Sequence, residues 1–191
     1  MPELSPLARE KLAKIGEATQ EERLEWKYVP KGQQLAASYL RGEVNIESEL
    51  TNYEAGARSY VIKGLQETLL TNIVLPKDEH TKQRNRKAME GIYILKENKG
   101  EVGRIFGELE EGLFKPYEQT KLQAYTQVKS NFEMKIQQTL QQQLGTLSSR
   151  VKIDVERQPQ FQEELRKALA QLDSQYADAL NKRKQEIKSI T

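Results

Sequence analysis

The chain has 191 residues, with 30 Lys and Arg against 28 Asp and Glu, a formal net charge of +2. So even a balance supplies no whole-molecule field to gather nucleic acid or anionic lipid, and the absence of cysteine excludes disulfide frameworks, thiolate metal sites and cysteine nucleophiles. Hydrophobic residues make up 37% and charged residues 30%, which suits one domain, or a small domain carrying a helical hairpin, better than a deep spherical core.

At the amino end, Ser5 and Pro6 read as an N-cap and first helical residue, followed by Leu7, Ala8, Leu12 and Ile15 on one face up to Gly16. No apolar leader core is present in MPELSPLAREK, and nowhere do 18 uncharged apolar residues run together. The expected compartment is the cytoplasm, with no membrane span. Thr19 and Glu22 have capping-box spacing, so a second short helix carries Leu24 and Tyr28 until Val29-Pro30 stops it. A third short helix lies between Gly32 and Gly42 with Leu35, Ala36, Tyr39 and Leu40.

Asn45 is the expected cap of a long helix reaching Leu75, its stripe running through Ile46, Leu50, Tyr53, Ala57, Tyr60, Val61, Leu65, Leu69 and Ile73. Pro76 ends it. Asp78 offers the next cap, and Ala88, Met89, Ile92 and Leu95 keep the helical period as far as Asn98-Lys99-Gly100. The residues from Ile92 to Phe106 also fit a minor β-hairpin about that turn, and helix is the favoured reading. Gly100, Gly103, Gly107 and Gly112 weaken any helix there by about 0.8–1 kcal/mol each relative to alanine. The stretch 100–116 is therefore the expected hinge between an N-terminal helical region, 1–99, and a C-terminal hairpin, 117–191.

Beyond Pro116, Leu122, Tyr125, Val128, Phe132, Ile136, Leu140, Leu144 and Leu147 advance by threes and fours, the period of a straight helix. Val151 to Val155 reads either as a short alternating strand or as more of that helix. Gln158-Pro159 opens a last helix with Phe161, Leu165, Leu169, Leu172, Tyr176, Leu180 and Ile187. Each helix would reach about 45 Å, and the short connection makes them antiparallel. The expected fold class is all-α, an elongated helical bundle with a long C-terminal antiparallel hairpin.

Candidate chemistry is sparse. Lys77, Lys82, Arg84, Arg86 and Lys87 form the densest basic run, able to release counterions from phosphates, although Asp78 and Glu79 interrupt it. Lys182, Arg183 and Lys184 sit where cations oppose a helix macrodipole. His80, the only histidine, lacks metal-ligand spacing, and Glu21-Glu22-Glu25 and Glu108-Glu110-Glu111 read as solvated faces. Gly103 to Gly107 lacks the lysine of a phosphate loop. No catalytic residue, metal or cofactor is expected. Half-covered apolar stripes point to a non-enzymatic interaction or scaffold protein that binds a protein partner and self-associates. The alternatives are nucleic-acid binding through 77–87 and an enzyme of unassigned reaction.

Overall fold

In the computed structural model, residues 19–144 and 154–190 are described, and every regular element among them is helical. The expected helix at 5–16 and the residues from 145 to 153, with Leu147 and Val151, lie outside the described residues. The all-α class holds, and 92–106 forms no hairpin: it is the end of one helix, a bend at 96–98 and the start of the next. Two compact units emerge, one of residues up to 73 with 84–97, the other of 74–83 with 98 onward.

In the first unit, α1 spans Gln20–Arg41. Its start is the expected capping box: the Glu22 amide donates to Thr19 Oγ1 at 3.2 Å, and the Thr19 amide donates to Glu22 Oε2 at 2.8 Å. The two short helices expected on either side of Pro30 are instead one helix with the proline inside it. An interior proline costs about 3 kcal/mol or more, and the compensation is a close crossing with α3, Ala55–Asn72. A Cβ on Gly32 would stand 2.0 Å from the Val61 carbonyl oxygen, and one on Gly64 would stand 2.1 Å from that of Val29. The two glycines face each other's backbones, so the helices touch main chain to main chain and bury Leu35, Ala36, Val61 and Leu65 around the contact. Gly42, at φ 81°, closes α1 in the left-handed region, its amide bonding back to Ser38 and Tyr39.

The long helix expected from Asn45 to Leu75 is broken in two. Asn45 caps as read, accepting from the Ser48 amide at 3.0 Å, but α2 covers only Ile46–Leu50. Thr51 turns its hydroxyl onto the Ser48 carbonyl at 2.7 Å, and the Asn52 and Tyr53 amides bond to Glu49 and Leu50 in tight turns. Such local bonds compete with helix continuation, and the break lets Tyr53 meet Tyr28 edge to face at 6.3 Å. Likewise α3 stops at Asn72, short of Leu75, with Ile73 buried and extended.

Asp78 caps α4, Glu79–Leu95, accepting from the Thr81 amide at 2.7 Å. Its first turn groups with the second unit and its remainder with the first. There Ala88, Met89 and Ile92 are buried as the period predicts, and Gly91 lies against Tyr39, Leu69 and Ile46. Burial, then the charge and hydrogen bond of Glu90, push the Tyr39 hydroxyl up to about 12.

The second unit is built on one uninterrupted helical run. Asn98 caps α5, Lys99–Leu109; a π-helical turn follows at Glu110–Phe114; α6 continues over Lys115–Leu144. The glycines of 100–116 therefore sit within helix. The Lys115 amide reaches the Glu110 carbonyl, the wider π spacing, immediately before Pro116, whose ring would crowd a normal α turn. A 3-10 turn, Val155–Arg157, occupies the end of the segment read as strand or helix, and α7, Pro159–Ser189, begins at the proline as expected. The antiparallel pairing of α6 and α7 is fixed by Phe132 on Phe161 at one level and Tyr117 on Tyr176 at the other.

Gly32→Ala and Gly64→Ala should each lower the unfolding free energy by about 1–3 kcal/mol or more, since the added methyl meets backbone that cannot swing away. At Gly103 a Cβ would meet nothing within 4 Å, and Gly103→Ala should stabilise by up to about 1 kcal/mol. Urea unfolding of the three variants separates the cases; equal effects would refute the crossing.

Candidate interaction surface

The basic residues singled out by composition do not stand together as one free patch. Lys77 holds Asp173 at 2.7 Å, and Lys82 holds Glu118 at 2.5 Å and Glu79 at 3.6 Å. These two group with the second unit, whereas Arg84, Arg86 and Lys87 group with the first. There Arg84 and Arg86 are exposed, and Lys87 lies over the Tyr39 ring at 5.4 Å. On α7, Lys182 is exposed, Arg183 joins Glu108 at 2.8 Å and Glu186 at 2.7 Å, and the half-buried Lys184 has its ammonium pushed below the ordinary lysine value by burial. Four of the clustered acids serve capping and ion pairs: Glu22 in its box, Glu25 on Lys63, Glu108 on Arg104 and Arg183, Glu111 on Lys115. His80 is exposed. Among the described residues no group of three or more His, Asp or Glu could hold a metal ion, and no helix is long and apolar enough to cross a membrane.

Residues 74–83 form a strap across the α6–α7 hairpin. Leu75 and Pro76 are buried, and the polar ties are specific. The Asp173 carboxylate receives Lys77 on one oxygen and the Tyr117 hydroxyl on the other, both at 2.7 Å. The Lys121 ammonium donates to the Lys77 carbonyl at 2.5 Å. Burial pushes the Asp173 carboxyl upward, but the hydrogen bonds from Lys77 and Tyr117 outweigh it and leave the group below its usual range. Burial first, then Asp173, pushes the almost fully buried Tyr117 hydroxyl well above its ordinary value. Neither Tyr117 nor Asp173 is conspicuous in the sequence; only their position on the facing stripes of two antiparallel helices could have paired them.

The strap covers one end of a face; farther on, Glu156 of the 3-10 turn accepts from the Tyr125 hydroxyl and the Lys129 ammonium, each at 2.6 Å, and Val155 is buried beside Phe132. Along α6, Glu118, Leu122, Tyr125, Lys129, Ile136 and Leu140 recur at spacings that keep one side of a helix, and along α7 Asp173, Leu169 and Leu165 step back by fours. A groove of about 320 Å³ lies where the strap ends, walled by Pro76 and Lys77, by Leu122 and Tyr125, and by Leu169. Farther along, a groove of about 290 Å³ is lined by Phe132, Ile136, Leu140 and Gln158. Among the described residues of this half of the hairpin, Phe132, Val155 and Phe161 form a buried cluster, with Tyr125, Val128, Ile136 and Leu165 partly buried around it. Leu122 is 67% exposed.

Asp173→Asn should cost about 1–2 kcal/mol at neutral pH, because a charged acceptor of two hydrogen bonds becomes neutral while still partly reached by water. A carboxyl depressed by folding contributes stability above its unfolded value near 3.9 and loses that contribution as pH falls through the lower folded value. Acid unfolding of the wild type should therefore steepen below about pH 4, and the variant should show less of that slope. An unchanged slope would mean Asp173 titrates as it does in the unfolded chain.

Comparison with known proteins adds family membership. No curated protein and no solved structure matches the chain. Residues 47–189 match the profile of a family of unknown function, from the start of α2 to the end of α7. The match takes in the strap, the π turn and the whole described hairpin, so the chain belongs to that family, DUF6657.

Proposed function

We propose that this protein is a non-enzymatic interaction module of the cytoplasm, in which the open face of the α6–α7 hairpin docks a helical protein surface, its own kind included. The carrying observation is the contrast along one face: strapped and buried at the Tyr117–Asp173 end, but fronted by exposed Leu122 and half-buried Ile136, Leu140, Leu165 and Leu169 beyond it. Two helices alone hide only the strip where they touch, and uncovered apolar area of this extent is characteristic of an interface. The cysteine-free composition suits a reducing compartment.

Nucleic-acid binding draws less support, since Lys77, Lys82 and Arg183 already face carboxylates. An enzymatic reading draws less support still, since Tyr117 and Asp173, a partly buried polar pair among the described residues, are spent with Lys77 on fastening the strap.

A docking face differs from a core in what its residues do for stability. At nanomolar protein concentration, Leu122→Gln should change the unfolding free energy by less than about 0.5 kcal/mol while reducing the fluorescence of a bound apolar dye such as bis-ANS. Leu172→Ala, at a buried position, should cost about 2–5 kcal/mol. A wild-type protein that binds no dye, or a Leu122 variant as destabilised as the Leu172 one, would remove the reading.

A further inference from the structure

We draw no further inference here: the strongest candidate, a groove of about 660 Å³ along α5, the π turn and α7 lined by Arg104, Gly107, Glu108, Gly112, Ala179 and Arg183, rests on a stripe of small residues whose flanking arginines are already paired with Glu108 and Glu186, and nothing in the structure shows what covers it.

Discussion

Two helices laid side by side bury only the strip along which they touch, and how each pair meets this limit explains most of the structure. In the first unit it is met by bringing helices closer than side chains allow. Gly32 and Gly64 delete the side chains at the crossing of α1 and α3, so backbone packs on backbone and the flanking Leu35, Ala36, Val61 and Leu65 close over the contact. That contact is what an interior proline at position 30 must be weighed against. In the second unit, α6 and α7 meet through bulky aromatic residues, and the strip between them is completed at one end by the strap and at the other by Val155 of the 3-10 turn, with a groove fronted by exposed Leu122 beside the strap.

The strap shows how such a face is covered when the chain supplies its own cover. Pro76 is buried beside Leu122 and Leu169, while Lys77 and Lys82 reach carboxylates on α7 and α6. Exposed ion pairs contribute little in free energy, about 0–1 kcal/mol each. Their effect is to fix which residues sit where. Asp173 has more weight because it is partly buried, receives two hydrogen bonds and anchors Tyr117, a side chain that could not be buried with its hydroxyl unpaired. Residues that composition marks as a basic run are therefore partly a fastening, with arginines left over on the outside.

What could be read from the sequence divides along physical lines. Caps were legible, because Thr19-Glu22, Asn45, Asp78 and Gln158-Pro159 act through neighbours a few residues away. The hairpin was legible from its long, regular stripes. Continuity through Pro30 was not, since it depends on a glycine more than thirty residues away in the chain, and the break at 51–54 was hidden by a stripe that ran through it unaltered. Of the candidate site, the apolar residues were visible but their open side was not: Leu122 and Phe132 look alike in a helical repeat, and only the position of α7 makes one exposed and the other buried.

The π turn at Glu110–Phe114 completes this logic. Ile105, Leu109, Leu113 and Tyr117 are all buried, yet they step by four. In an ideal α-helix each such step overshoots a full turn by about 40°, so three of them would carry the stripe about 120° around the helix and away from α7. A wider π turn holds more residues per revolution and absorbs the overshoot, so that Tyr117 arrives facing Tyr176 and Asp173. The phase set there is inherited by everything beyond it on α6. Because Leu122, Ile136 and Leu140 take their direction from Tyr117 through an unbroken helix, the turn that buries the tyrosine also determines which side of the hairpin remains open.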